Sequence, residues 1–239
     1  LFYSPSSKLF QINTIVNKEI LFPKSYPYTS STTKVLRDNF KELSQECIKL
    51  FNIDKTDLAL DIGSNDGNLL SNFKEHCKVL GITPETLGNL AKKKGIPTMI
   101  EYFDDFSTKK ILKKYGKAKL VFATNVFAHI DDVKKVLKNI KKILTNDGIF
   151  VSESHYFLDL VKTCQFDTLY HEHLRYYTLT CLKNFFESEG LKVIFAKKIN
   201  PHGGSIRVYA SKFKYKIINN NIKNIISNEK KSLTLNKLR

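Results

Sequence analysis

Leu58-Ala59-Leu60-Asp61-Ile62-Gly63-Ser64-Asn65-Asp66-Gly67-Asn68-Leu69-Leu70 is the stretch on which the reading of the whole chain turns. A short apolar run ends in an acid, enters a Gly-x-Asn-x-Gly turn and passes at once into a helix-like segment. That pattern predicts the first strand, turn and helix of an α/β nucleotide-binding sheet. Gly63 and Gly67 can take positive φ and let backbone come close to a ligand, and Asn65 is the non-glycine residue most tolerant of that conformation. The turn is expected to hold a small molecule.

Working outward, the downstream sequence alternates regularly. Strands are predicted at 58–62, 78–82, 97–103, 120–124 and 149–153, with helices near 68–75, 87–94, 108–114 and after 131. In the last of these Val133, Val136, Leu137, Ile140, Ile143 and Leu144 share one stripe, and Asn146-Asp147-Gly148 closes it. Strands alternating with helices over short connections imply a parallel sheet with right-handed crossovers. Upstream, residues 1–28 carry scattered apolar residues with Pro23 and Pro27, and read as an irregular lead-in with at most one short strand. Ser30, Ser31 and Thr32 are candidate N-caps for a helix with Leu36, Phe40, Leu43, Cys47 and Leu50 on one face.

After 153 the rhythm breaks. Residues 154–178 form a long polar and aromatic stretch holding Tyr156, Phe166, Tyr170, His171, Glu172, His173, Tyr176 and Tyr177. A helix follows with Leu179, Leu182, Phe185 and Phe186, stopping at Gly190. Strands at 192–199 and 205–210 are then joined by Asn200-Pro201-His202-Gly203-Gly204, too short for a parallel crossover, so they must pair antiparallel. Five parallel strands and a terminal antiparallel pair, helices on both faces, make an α/β, Rossmann-like sheet of the class I S-adenosylmethionine methyltransferase plan. Asp61-x-Gly63-x-Asn65-x-Gly67 resembles the acid-x-Gly-x-Gly-x-Gly motif of those enzymes, with Asn at the middle glycine.

Composition narrows the partners. The chain has 239 residues, 39 Lys and Arg against 23 acids, and a formal net charge of +16. Such a surplus invites a polyanion, but the lysines are spread over predicted helix faces and are densest in the tail from Lys212 to Arg239, which reads as solvated surface rather than a nucleic-acid site. No apolar run reaches the length of a membrane helix, and residues 1–10 lack the order of a signal peptide. Cys47, Cys77, Cys164 and Cys181 stand far apart without a Cys-x-x-Cys pair, which fits packed thiols in a reducing compartment. A soluble, cytoplasmic monomer is expected. Met99 is the one methionine and the chain does not open with one, so we read it as a core piece of something longer.

A more specific resemblance rests on several motifs in register over residues 12–235. They are Leu21-Phe22-Pro23 through Tyr26-Pro27-Tyr28-Thr29-Ser30-Ser31-Thr32; Leu60 through Gly67; Asn125-Val126-Phe127-Ala128-His129-Ile130; Gln165-Phe166-Asp167-Thr168-Leu169-Tyr170-His171-Glu172-His173; and His202-Gly203-Gly204-Ser205-Ile206-Arg207-Val208-Tyr209. Together they resemble the nucleotide-deoxysugar C-methyltransferases. That family carries an N-terminal zinc-binding segment and a C-terminal Rossmann-like domain, so the resemblance implies a core without its flanks. The expected parts are a lead-in at 1–32, a methyltransferase domain at 33–211 and a basic linker at 212–239. Zinc is expected only in the segment this chain lacks.

The resemblance and the fold together imply the site. Asp61, Gly63, Asn65 and Gly67 would line the methionine end of S-adenosylmethionine, beyond the carboxyl ends of the strands. Where related enzymes place a ribose-binding acid this chain has Thr83, with Glu85 two residues on as an alternative. Tyr102 and Phe103 fit an adenine-flanking role, with plain strand aromatics the other reading, and Asn125 falls at the sulfonium region. Methylating carbon next to a ketone needs a base for the α-proton and donors for the enolate oxygen, and histidine is the natural base near neutral pH. The resemblance implies His173 as base, with Glu172, Tyr170 and His129 positioning or polarising the sugar and Tyr28 near it. His171, His202 and Arg207 are further substrate-binding candidates, Arg207 for the diphosphate. His171 and His173 could instead belong to a metal pair with His129, His155 or His202, although no carboxylate or cysteine set supports it; no metal is assigned. The expected reaction is C-methylation α to the ketone of a nucleotide-linked 4-keto deoxysugar. An O-methyltransferase and a non-catalytic polyanion-binding module stand as alternatives.

Overall fold

The computed structural model describes residues 1–213, 215 and 221–233. In chain order the elements are β1 (Phe2–Ser4), β2 (Leu9–Gln11), α1 (Lys18–Leu21), α2 (Lys34–Phe51), β3 (Leu58–Ile62), β4 (Lys78–Thr83), α3 (Gly88–Lys93), β5 (Thr98–Ile100) and α4 (Asp105–Lys114). They continue with β6 (Ala118–Thr124), α5 (Val133–Ile143), β7 (Leu144–His155), α6 (Phe157–Lys162), β8 (Arg175–Tyr176), α7 (Leu179–Ser188), β9 (Lys192–Ile199), β10 (Ser205–Ser211) and α8 (Asn221–Ser232).

The main sheet has the order β5-β4-β3-β6-β7-β10-β9. Its first five strands are parallel, and β10 pairs antiparallel with both β7 and β9. This is the expected α/β plan. All five residues of β3 are buried, because helices cover both faces, and the strand therefore reads as a continuous apolar run. Its side chains still alternate. Leu58, Leu60 and Ile62 join the cluster under α5 and α7, while Ala59 joins the one under α2 with Phe40, Leu43 and Cys47. The chain goes from β3 outward to β5 and then returns to β6 on the other flank of β3. The carboxyl ends of β3 and β6 therefore bound the crevice where such sheets hold ligands.

Several local expectations change. The helix predicted near 68–75 is a run of turns with one 3₁₀ turn at Leu70–Asn72. Ser71 Oγ and Asn72 Nδ2 both donate to the Asn68 carbonyl, satisfying the backbone without an α-helix. The third parallel strand stops at Ile100 rather than 103, because Asp104 caps α4 in a reciprocal capping box with Ser107. The fifth strand begins at Leu144 and runs through Gly148.

The lead-in is more ordered than predicted. β1 and β2 pair with each other and β2 with β8, giving a small antiparallel sheet. Phe10 stacks between Tyr3 and Phe157, with centroids at 4.6 and 3.6 Å. Residues 13–32 then cross the carboxyl edge of the main sheet. The segment from 212 was expected to be a linker, yet among the described residues α8 packs on the domain. Buried Glu229 accepts from the Leu179 and Thr180 amides at 2.6 and 2.9 Å and from the Tyr156 hydroxyl at 3.0 Å, capping α7 in trans. Residues 214, 216–220 and 234–239 of that expected linker lie outside the described ones. The four cysteines are free, and among the described residues no helix is long and apolar enough to cross a membrane.

Candidate active site

A cavity of about 840 Å³ opens at the carboxyl ends of the parallel strands. The glycine turn forms one end, the histidines of the later loops form the other, and the lead-in contributes Leu21, Phe22, Tyr26 and Tyr28 as a wall. Of the lead-in, the resemblance implied only Tyr28 at the site; the longer stretch from Ile15 to Ser30 that lines the cavity was not expected.

At the turn end, Asp61 is buried and its Oδ1 has no hydrogen-bond partner among the described residues. Burial first, and then the charge of Glu153, hold its carboxyl well above the usual carboxylate range. A buried acceptor without a donor, facing a cavity, is suited to a cationic ligand group. Gly63 has φ +74°, and a Cβ there would sit 2.5 Å from Val126 Cγ2. Asn65 also has positive φ, 51°. Its side chain receives the Ser30 amide at 3.0 Å and donates to the Tyr28 carbonyl at 2.8 Å. Asn65 thus latches the lead-in onto the turn.

Two turn-end expectations are corrected. Gly67 is absent from the cavity wall. With φ +78° and a would-be Cβ 2.7 Å from Ile96 Cδ1 and 2.9 Å from Ala91 Cβ, it serves the packing of the turn against α3. Thr83 is also outside the wall; its buried hydroxyl donates to the Glu85 carboxylate, which does line the cavity. The acid in this region is therefore Glu85, braced by Thr83. Tyr102 and Phe103 both line the cavity, and the Lys18 ammonium lies 4.2 Å from the Tyr102 ring centroid.

Asn125, at the end of β6, has φ 57°, and its amide donates to the Glu153 carbonyl at 2.9 Å. Its Nδ2 lies 3.3 Å from His202 Nε2, which must accept. His202 itself has φ 56°.

At the other end, Tyr170, Glu172, His173 and His129 converge on the cavity. His173 Nδ1 donates to the Thr168 carbonyl at 2.9 Å, which fixes the tautomer and leaves Nε2 with a free lone pair. His129 Nδ1 donates to the Glu172 carbonyl at 2.7 Å. The two rings are 5.0 Å apart between centroids, and Tyr170 stands 4.6 Å from His173. Burial lowers the pKa of His173; burial, aided by the charge of His173, lowers that of His129 to about 4. The Glu172 carboxylate accepts from the Tyr26 hydroxyl at 3.2 Å and is approached by that of Tyr170 at 3.5 Å. Burial and Glu172 together raise both phenols, so they remain donors at neutral pH.

Tyr26 and His155 line this end too, and sequence reasoning did not assign them to the substrate. Tyr26 stands in the Tyr26-Pro27-Tyr28 motif of the lead-in, which is a signal for it; His155 carries no signal beyond its metal-ligating residue type. Two other assignments fail. His171 is exposed and outside the wall. Arg207 is fully buried under the sheet, bonded to Glu153, to Asn39 Oδ1 at 2.7 Å and to Glu46 at 3.1 Å. It cannot meet a diphosphate, because β10 is an interior strand and position 207 faces α2. Among the described residues no group of three or more His, Cys, Asp or Glu side chains is placed to hold a metal ion.

The model of a family described as a methyltransferase domain matches residues 30–195. The chain belongs to that family. The C-methyltransferase NovU of Streptomyces niveus is 33% identical over 205 residues, which are 85% of this chain and 49% of NovU. The chain thus spans about half the length of that curated relative. Among solved structures, a SAM-dependent methyltransferase of Leishmania major superposes with a TM-score of 0.61 at 15% identity, over 81% of each chain. The N-methyltransferase NodS of Bradyrhizobium japonicum, in complex with S-adenosyl-l-homocysteine, does so with 0.58 at 14%, over 81% of this chain and 94% of NodS. At such identities the likeness is one of fold, and the fold is the Rossmann-like methyltransferase sheet.

Two measurements follow from the geometry of this methyltransferase domain. Gly63→Ala adds backbone strain of about 1–2 kcal/mol at positive φ and pushes Val126 aside. Gly116, φ +80° with open space around it, carries the strain alone. In urea, Gly63→Ala is expected to lose more stability than Gly116→Ala; equal losses would show that the Val126 contact yields freely.

The second concerns acid. His129 and His155 stay neutral in the fold, burial taking them to about 4 and about 3, while unfolded histidines titrate near 6.5. Between those values the unfolded chain binds more protons, so stability falls as pH drops from about 6.5 toward 4 and returns as pH rises. Urea midpoints at pH 7.5, 6 and 5 should decline in that order, less steeply in His155→Gln. A flat series above pH 5 would contradict the buried, neutral state.

Proposed function

We propose that the domain binds S-adenosylmethionine at the glycine-turn end and a nucleotide-linked 4-keto deoxysugar at the histidine end, and methylates the carbon next to the ketone. The observation that carries this reading is His173, buried, neutral and with Nε2 free toward a cavity it shares with the glycine turn. The name of the relative, a C-methyltransferase, supports carbon as the acceptor.

The residues present fit the donor. Asp61, with its orphaned oxygen, would take the ammonium group, Glu85 the ribose hydroxyls, and Tyr102 and Phe103 the adenine faces. Despite the +16 charge of the chain, Asp61, Glu85, Glu101, Asp104 and Glu172 outnumber Lys18 and Lys135 in the wall, an environment suited to a cation. When bound, S-adenosylmethionine supplies an electrophilic methyl group, so the protein's task is to make the acceptor carbon nucleophilic.

His173 Nε2 takes the α-proton. The Thr168 carbonyl holds the ring in the required tautomer and favours the imidazolium that results. Tyr26 and Tyr170, kept protonated beside Glu172, supply hydroxyl donors for the sugar, and His129 fills the space behind His173. The lead-in, latched by Asn65, limits water at the reacting carbon.

Proton exchange tests the reading. Full-length wild-type protein, given a 4-keto sugar nucleotide in heavy water, is expected to place deuterium at the α-carbon, read by NMR. Methylated product formed with no exchange under any condition would instead indicate transfer to oxygen.

A further inference from the structure

One segment of the chain is bonded to both ends of the cavity. It starts at Ile12, whose amide donates to the Leu174 carbonyl beside His173 at 3.1 Å, and finishes at Ser30, held on the glycine turn. Residues 13–29 run between them as a strap over the carboxyl edge of the sheet. We propose that this strap couples the two sites, so that donor bound at the turn tightens binding of the keto-sugar nucleotide at the histidine end, with Asn68 and Thr86 as positioning residues that hold the strap for it. The inference rests on the reading of the turn end as donor site and of the histidine end as acceptor site.

The ties alternate along the strap. The Lys24 carbonyl accepts from the Thr86 amide at 2.9 Å and from its hydroxyl at 2.8 Å, one residue beyond Glu85. Tyr26 reaches the opposite end, its hydroxyl donating to Glu172 at 3.2 Å. The Tyr28 carbonyl returns to the turn, accepting from Asn65 Nδ2 at 2.8 Å. Ser30 is gripped three times: its amide donates to Asn65 Oδ1 at 3.0 Å, its carbonyl accepts from Asn68 Nδ2 at 3.1 Å, and its hydroxyl donates to Asp66 Oδ1 at 2.7 Å. The Lys94 ammonium, 2.8 Å from Asp66 Oδ2, holds that carboxylate in turn. Pro23 and Pro27 fix φ on either side of Tyr26, and the Tyr26 amide closes a turn onto the Pro23 carbonyl at 2.9 Å. A displacement of the donor-side ties therefore reaches the Tyr26 hydroxyl.

The strap is also the segment best suited to shift. No residue from Gln11 to Val35 is buried, and α1 contributes none to the core. Polar ties rather than packing hold it, which is the property of segments that open locally at low cost. Its larger apolar groups, Leu21, Phe22, Tyr26 and Tyr28, line the cavity. A molecule at either end that touches them favours the closed strap over the open one. The second molecule then meets a strap whose ordering has already been achieved, which makes the coupling positive and reciprocal.

Calorimetry on the full-length protein tests this by measuring the affinity of a 4-keto sugar nucleotide with and without saturating S-adenosylhomocysteine. Wild type is expected to bind the sugar nucleotide about tenfold tighter when S-adenosylhomocysteine is present, and S-adenosylhomocysteine should gain the same factor from the sugar nucleotide. Asn68→Ala combined with Thr86→Val removes two ties whose side chains lie outside the cavity wall. In that variant S-adenosylhomocysteine alone should still bind, while the coupling drops below about threefold. Steady-state rates should show the same loss as a raised acceptor KM at nearly constant kcat. Thr86→Ser, which keeps the hydroxyl, should behave as wild type. Equal affinities with and without S-adenosylhomocysteine in wild type overturn the coupling. Full coupling in the double variant would assign it to direct contact between the two ligands and overturn the role of the strap. So would loss of S-adenosylhomocysteine binding there, which would show that the ties hold the donor turn itself. No heat from the sugar nucleotide under either condition would instead overturn the acceptor reading, and the coupling with it.

Discussion

His173→Asn is expected to end deuterium incorporation at the α-carbon and to lower methyl transfer by about 10²–10⁴-fold, the usual worth of a positioned base. Asparagine can still donate to the Thr168 carbonyl, which His173 meets through Nδ1 at 2.9 Å, so the loop should stay in place. It offers no nitrogen of suitable basicity to the cavity. Donor binding, followed by calorimetry, should change little, because Asp61, Glu85 and Tyr102 line the turn end and His173 the other. Equal washout in wild type and variant would remove His173 from the role of base. Loss of donor binding together with washout would mean that the substitution had disturbed the fold.

Arg207→Met carries the largest expected effect on stability, a loss of about 3–5 kcal/mol read from urea unfolding, because it strands a buried carboxylate. The Glu153 side chain is 1% exposed and that of Arg207 is not exposed at all, so water cannot replace the lost partner. Glu153 would keep one donor, Asn39 Nδ2 at 3.0 Å. Against a total stability of about 5–15 kcal/mol, such a loss approaches unfolding. Arg207→Met combined with Glu153→Gln should recover part of it, and the double-mutant cycle measures the coupling. A loss below about 1 kcal/mol for the single variant would show that the network relaxes around the gap. Glu153 also presses on Asp61, so neutralising it should bring the Asp61 carboxyl back toward its ordinary range.

The case of Arg207 shows where sequence reasoning stops. The Ser205–Ser211 strand was legible from its composition and from the short turn before it. Which face of that strand met solvent was not, since β10 is covered on both sides and flanked by β7 and β9. An arginine beside a Gly-Gly turn suggests an anion, whereas here its partners are Glu153, Glu46 and Asn39, drawn from two other elements. Thr83 and Glu85 are a milder instance. The sequence offered either as the ribose contact, and the side-chain packing sends the threonine hydroxyl to the glutamate. Local chemistry also misled at 68–75, where Asn68, Ser71 and Asn72 satisfy carbonyls that an α-helix would have used.

What the sequence by itself determined is the sheet: five parallel strands, the antiparallel pair and the glycine turn. These follow from periodicity and turn chemistry, which act over a few residues and leave their mark on neighbouring positions. The motif Tyr170 to His173 could likewise be picked out, and Tyr170, Glu172 and His173 of it line the cavity. Only the tertiary structure decided that the lead-in forms two strands and walls the cavity, since β2 finds its partner in Tyr176 and Arg175 far along the chain. It alone brought His155 and His202 beside His173, placed His171 outside and turned Arg207 inward. Those outcomes depend on strand order and on which groups can be desolvated together, a free-energy balance over the whole fold that no window of sequence contains.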